Sequence, residues 1–177
     1  MNLKVNFFAP IYNRESTRKD LCFGINDAFE ESDNQGMAYT TTEGSRNDWN
    51  AIVENPERKN ITFMPLDHNI IIHPEVGKTY SLCDGMLYNS EWLAFVELKD
   101  VRIGWIEKSI SQIKSTIELF CANHDYKVIK HRVAYAANKR HPYFHVSYKV
   151  EMNEFHSKTH FRLLIQNNII VKRSPKK

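Results

Sequence analysis

Cysteine is scarce. Cys22, Cys83 and Cys121 are the only three, odd in number and far apart, so neither a disulfide framework nor a cysteine-based zinc site is indicated, and a reducing cytoplasm is the expected compartment. Long apolar runs are lacking too. The opening MNLKVNFFAP has no extended hydrophobic segment of the secretory kind, and no later run approaches membrane-spanning length, so no membrane partner is expected. Charge of one sign is also in short supply: 24 Lys and Arg stand against 21 Asp and Glu, a net +3 with a pI of about 8.7. That balance permits nucleic acid as a partner but falls well below an obligate DNA-coating protein. No internal repeat is present, and only the tail Lys172, Arg173, Lys176, Lys177 is compositionally biased. What remains is a 177-residue chain, 42% hydrophobic, able to bury a core alone or as a homodimer.

The most informative stretch is Ser81 to Lys99, SLCDGMLYNSEWLAFVELK. Trp92 to Val96 runs without a polar interruption, the pattern of a strand buried on both faces of a parallel or mixed sheet. The run ends in Glu97, Leu98 and Lys99. Alternation along a strand puts Glu97 and Lys99 on one face, and two ionisable groups at a buried strand end are costly unless paired or bound to a metal. The tripeptide alone is weak evidence, because 13 Glu and 15 Lys in 177 residues give about one Glu-x-Lys by chance. Glu57-Arg58-Lys59 has the same spacing, but it follows Pro56 in a polar stretch and reads as a solvated turn. Only the second copy ends an apolar strand, follows an acid, Asp84, at the head of a neighbouring strand (Cys83 to Tyr88), and precedes an amphipathic helix. That helix is expected from Arg102, with Ile103, Ile106, Ile110, Ile113, Ile117 and Phe120 on its buried stripe and Gln112 at the border.

The order Asp84, Glu97-Leu98-Lys99, then a helix bearing Gln112 resembles the PD-(D/E)xK nuclease superfamily, small bacterial members included, over about Thr79 to Phe120. Val128 to Ala136 looks like the next strand of that core. Cys83 replaces the proline of the family's name, which leaves the metal chemistry untouched. The resemblance implies an α/β fold of restriction-endonuclease-like type, a mixed central sheet flanked by helices. It implies Mg²⁺ or Mn²⁺ held by Asp84, Glu97 and the backbone carbonyl of Leu98, with Lys99 and Gln112 completing the catalytic set. Such an ion prefers oxygen donors and keeps several waters, so few protein ligands suffice. The helical acid found upstream in many members has its best counterpart in Glu54, on a short helix that Asp48 would cap.

Around this core, residues 1–47 are expected to form a loop-rich extension packed on a nuclease-like domain of residues 48–177, with short elements near Leu21 to Phe29. Ile61 to Pro65 and Ile70 to His73 read as outer strands with Asp67 between them, Lys127 to Ala136 and Phe144 to Val150 as strands, Lys158 to Gln166 as a helix and Ile169 to Val171 as an edge strand. Basic residues at Lys127, Lys130, Arg132 and at Lys139, Arg140, interleaved with Tyr135, Tyr143 and Phe144, suit nucleic-acid binding, although tyrosines in strands are also ordinary sheet residues.

Three functions fit these features. The first is a metal-dependent nuclease acting on DNA or RNA. The second is a catalytically silent module of the same architecture that binds nucleic acid or a protein. The third is a zinc-binding interaction protein built on histidines. His141 and His145 span about 13 Å if extended, too far for one ion, and His156 and His160 lack the glutamate of the zinc-protease motif.

Overall fold

The computed structural model describes residues 4–28, 36–72, 80–141 and 148–171. Among them the elements run β1 (Cys22–Asn26), β2 (Tyr39–Thr41), β3 (Ala51–Glu54), β4 (Thr62–Pro65), β5 (Gly85–Tyr88), β6 (Trp92–Lys99), α1 (Ile106–Asn123), β7 (His131–Asn138), α2 (Lys149–Thr159), β8 (Arg162–Ile165) and β9 (Asn168–Ile170), with a 3-10 turn at Tyr126–Val128. No helix of the described residues is long and apolar enough to cross a membrane.

The strands form two sheets. A five-stranded sheet has the order β4-β5-β6-β7-β8; β4, β5 and β6 are antiparallel neighbours, while β7 and β8 are each parallel to the strand before. A parallel neighbour requires a crossover, and α1 and α2 supply the two. A four-stranded sheet, β2-β1-β3-β9, lies beneath. The alternation of β6 explains the layering: Leu93 and Phe95 join the core shared with Ile113, Ile117 and Phe120 of α1. Trp92, Ala94, Val96 and Leu98 join a second core with Phe23, Ile25 and Val53 of the smaller sheet. Helices, large sheet and small sheet therefore make three layers, and β6 is buried on both faces as its composition requires.

Among the described residues of the first 47, two short strands occur, β1 within the stretch expected to hold short elements and β2 at Tyr39–Thr41. β1 pairs with β3, so the expected boundary at residue 47 runs through one sheet. Val5 and Phe7 are buried against the end of α1, where the Val5 amide donates to Asn123 Oδ1 at 2.9 Å. Ala51 to Glu54 is a strand, not a helix; Ala51 and Val53 are buried while Ile52 and Glu54 are half-buried, a period of two. The helix expected at Lys158 to Gln166 is also corrected. α2 stops at Thr159 because His160 takes the left-handed conformation with φ 61°, and Leu163 and Ile165 then alternate inward along β8. Lys149 and Val150 are helical and Tyr148 occupies the N-cap position, while Phe144 to Ser147 of the strand expected at Phe144 to Val150 lie outside the described residues. Ile70 to Ile72 form no strand, and His73 lies outside the described residues, as does the basic tail.

One close approach ties β1 to this architecture. A Cβ on Gly24 would sit 2.1 Å from Trp49 Cγ, so the indole lies flat on the strand where only glycine fits. Gly24→Ala should lower the free energy of unfolding by about 1–3 kcal/mol, the range for overpacking, as read by urea denaturation. An unchanged midpoint would show that Trp49 does not rest on β1.

Candidate functional site

Strand register brings the two acids face to face. β5 and β6 pair with Gly85 opposite Val96, so the next pair outward is Asp84 opposite Glu97. On the other side β7 sets Ala136 beside Glu97 and Asn138 beside Lys99. Asp84 Oδ2 accepts a hydrogen bond from the Leu98 amide at 2.5 Å. In an extended chain the N–H and C=O of one residue point to the same side, so the Leu98 carbonyl also faces Asp84. The ladder stops there because the preceding Cys83 amide donates instead to Thr116 Oγ1 on α1, at 2.8 Å. The resulting gap in pairing leaves that carbonyl beside two carboxylates.

Helix α1 closes the other face. Phe95 and Phe120 are in edge contact, with centroids 5.4 Å apart. From that level, a strand climbs about 3.3 Å per residue and a helix 1.5 Å, so Glu97 stands near the level of Thr116 and Lys99 near that of Gln112. Gln112 fits this level: its Nε2 donates to the Leu82 carbonyl at 3.4 Å, just ahead of Asp84. Three buried polar atoms on these facing surfaces, Glu97 Oε2, Ser109 Oγ and Gln112 Oε1, have no hydrogen-bond partner among the described residues. A buried polar atom without a partner costs about 1–3 kcal/mol, so three together concentrate that cost at one end of the sheet.

Burial sets the charge state. Desolvation raises Asp84 to about 7 against the Leu98 hydrogen bond, with Asp27 adding to the rise and Lys99 opposing it. Desolvation and then the neighbouring Asp84 raise Glu97 to about 8, while Lys99 draws it down. Glu97 is fully buried, and its Oε1 is paired with Lys99 Nζ, an ammonium whose side chain keeps 21% exposure. Burial pulls the Lys99 ammonium downward, but Glu97, Asp84 and Asp27 outweigh it and hold it above the ordinary lysine value. The arrangement is two carboxylates that resist sharing negative charge, next to one cation that cannot neutralise both.

Asp84, Glu97, Leu98, Lys99 and Gln112 are thus gathered at one end of the large sheet, and Glu54 is not. It lies on β3 of the small sheet and accepts from Arg46 at 2.9 Å. The basic residues divide between the two ends of β7. Lys139 and Arg140 follow its last residue, on the Lys99 side, where Lys139 donates to the Asp48 carbonyl and Arg140 pairs with Asp100 at 2.6 Å. Lys127, Lys130 and Arg132 lie at its start, about 25 Å away along the strand. Two acids went unselected by sequence reasoning: Asp27, just past β1, and Asp67, just past β4, both act electrostatically on Asp84. Each follows a short apolar strand as Lys99 does, and that shared position was the available signal.

Among the described residues no three His, Cys, Asp or Glu side chains gather closely enough to hold a metal ion unaided. No family model matches the chain, and neither the curated proteins nor the solved structures give a match.

The raised carboxyls give a pH signature. Both bind their protons more tightly folded than unfolded, so their contribution to stability is full below pH 4 and is lost as pH rises through about 7 and 8. Without divalent cation, the unfolding free energy should therefore decline by a few kcal/mol, in order of magnitude, between about pH 5 and 9. The double variant Asp84→Asn, Glu97→Gln should flatten that decline. A wild-type curve already flat in urea melts across this window would refute the charge assignment.

Proposed function

We propose that the chain is a metal-dependent phosphodiesterase of the PD-(D/E)xK type, hydrolysing DNA or RNA with Mg²⁺ or Mn²⁺. The observation that carries this reading is Asp84 facing Glu97 across two strands, with Glu97 Oε2 buried and unpartnered, the Leu98 carbonyl turned the same way, and Lys99 alongside. The large sheet supports it in part: it is mixed and carries helices on one face, as the resemblance implies, but its other face is covered by the small sheet and not by helices.

The residues fit a hard divalent cation. The donors gathered here are oxygens, two of them carboxylates that burial makes reluctant to ionise without a counter-charge, and few protein ligands suffice for an ion that retains waters. When bound, such an ion supplies charge neutralisation and an acidified water. Asp84 and Glu97 would hold it, with the Leu98 carbonyl. The chain's own groups do the rest. Hydrolysis adds water to phosphorus and breaks one P–O ester bond, with the proton from water ending on solvent or on the departing oxygen. Lys99, with Glu97 as a would-be ligand of the cation, would present its ammonium to the negative charge that builds on the phosphoryl oxygens. Gln112 Oε1 accepts a hydrogen bond from water near Lys99. Lys139 and Arg140, two residues beyond the same sheet end, meet the flanking phosphates.

Purified protein with labelled single- and double-stranded DNA and RNA should show cleavage that needs Mg²⁺ or Mn²⁺ and stops with EDTA. Asp84→Ala should reduce it by about three orders of magnitude or more without loss of fold, whereas Lys99→Ala should remove turnover and spare cation binding measured by calorimetry. Equal cleavage by wild type and both variants would reject these roles. Binding without cleavage by the wild type, unchanged in Asp84→Ala, would favour the silent module.

A further inference from the structure

The end of the molecule away from Asp84 and Glu97 carries a second place built for a ligand. A cavity of about 540 Å³ opens at the edge between the two sheets, beside the starts of β7 and β8. Its size falls within the range of small-molecule sites. The floor is apolar and aromatic, made of Trp92, Val133, Tyr135 and Leu164; Trp92 and Tyr135 are almost fully buried, so they form a firm wall. The rim is cationic. Lys130, Arg132 and Arg162 surround the opening, together with His156 and His160 of α2, and no carboxylate is found among its described lining residues.

These cations differ in freedom. Arg132 is committed to structure, donating to the carbonyls of Tyr126, Ile129 and His160 and lying 5.6 Å from the Tyr126 ring centre. Lys130 is exposed and paired with Glu91 at the surface, a contact that contributes little to stability and yields readily to a better anion. Arg162 is exposed on β8. Burial pushes the Tyr135 phenol up to about 12 while Arg162 pulls the other way, so the guanidinium stands within electrostatic reach of the floor. Three cationic side chains therefore border an apolar pocket whose described lining holds no carboxylate, with Glu91 engaging Lys130 from outside it.

A compact inorganic anion would leave the apolar floor wet, and a neutral hydrophobe would leave the rim's charge uncompensated. The chemistry that meets both is a flat, apolar body joined to a phosphate. We propose that this cavity binds a nucleotide, its base against Trp92, Tyr135 and Leu164 and its phosphate between Arg162 and Lys130. The site stands apart from the candidate catalytic end, and the proposal does not depend on cleavage being the protein's activity. The nucleotide comes either free or as the end of a strand, and the two sources share the recognised chemistry.

The test is titration of the full chain with AMP, followed by calorimetry and by the fluorescence of Trp92, against adenosine and inorganic phosphate as separate probes. AMP should saturate, and each half-ligand should bind at least tenfold more weakly. The charge-reversed pair Lys130→Glu, Arg162→Glu should weaken AMP at least tenfold, and Leu164→Trp, which fills the cavity without touching charge, should do the same. Thermal melts verify that each variant is folded. A 5′-phosphorylated oligonucleotide that displaces AMP identifies the strand end as the source; one that does not identifies the free nucleotide. Phosphate binding as tightly as AMP, AMP binding unaltered by both variants, or no saturation by AMP with folded wild type would each overturn the proposal.

Discussion

The register of β5 against β6 is the constraint on which the candidate site rests. Because Gly85 lies opposite Val96, Asp84 lies opposite Glu97, and a slip of one residue would send every side chain of β5 to the other face. The core on both faces forbids that slip. Met86 belongs to the helix-side core and Leu87 to the core between the sheets, so either displacement would bury the wrong surface on both sides at once. Gly85 adds a local lock: a Cβ there would fall 2.5 Å from the Phe63 ring, which seats β4 against β5 directly below the acids. Hydrophobic layering, a term with no chemical specificity, thus fixes two carboxylates within reach of each other at a place where water is largely excluded.

That exclusion accounts for the electrostatics. Two carboxylates and one ammonium in water would be unremarkable, and the Lys99–Glu97 pair would contribute little. Buried, the same pair leaves Glu97 Oε2 without a donor among the described residues and Asp84 with the Leu98 amide and the Lys99 charge too weak to offset its desolvation. The protein tolerates this because the surrounding apolar contacts are extensive, and sites that hold such imbalance are where function is usually found. The orphaned atoms on α1 belong to the same account. Ser109 and Gln112 lie in the first half of the helix, toward the sheet end, while Ile113, Ile117 and Phe120 pack its length into the core.

The buried strand, the body of the helix after it and the shared face of Glu97 and Lys99 were legible because each spans enough residues for its periodicity to be distinct, although the helix begins at Ile106 and not at Arg102, which leaves Ile103, expected on the buried stripe, exposed. β6 runs eight residues and α1 eighteen. Segments of three or four residues were not. Ala51 to Glu54 fits a helical turn as well as a strand, and only its pairing with β1 and β9 decides the matter. In the segment from Lys158 to Gln166, the left-handed turn at His160 splits one apparent helix into the end of α2 and the start of β8; histidine is not a usual marker for that turn. Asp27 and Asp67 went unselected for a different reason. Asp27 reaches the site through the stacking of two sheets and Asp67 through the pairing of β4 with β5, neither of which is encoded by spacing within one segment.

The division of the basic residues follows from β7 itself. Lys127 to Arg140 reads in sequence as a single cationic, aromatic stretch, which suggests one groove. An eight-residue strand at the centre of the molecule separates its two halves by most of the protein's width. The interior of that strand is alanine and tyrosine, buried on both faces, and carries no charge from Val133 to Ala137. A single track joining Lys130 to Lys139 would have to pass around this core rather than along it. We accordingly assign the cationic ends to different groups: phosphates flanking the acids at one end, and a separate anion in the edge cavity at the other. A groove reading would couple the two ends in binding, whereas the architecture makes them energetically independent, since residues this far apart with no shared partner contribute additively.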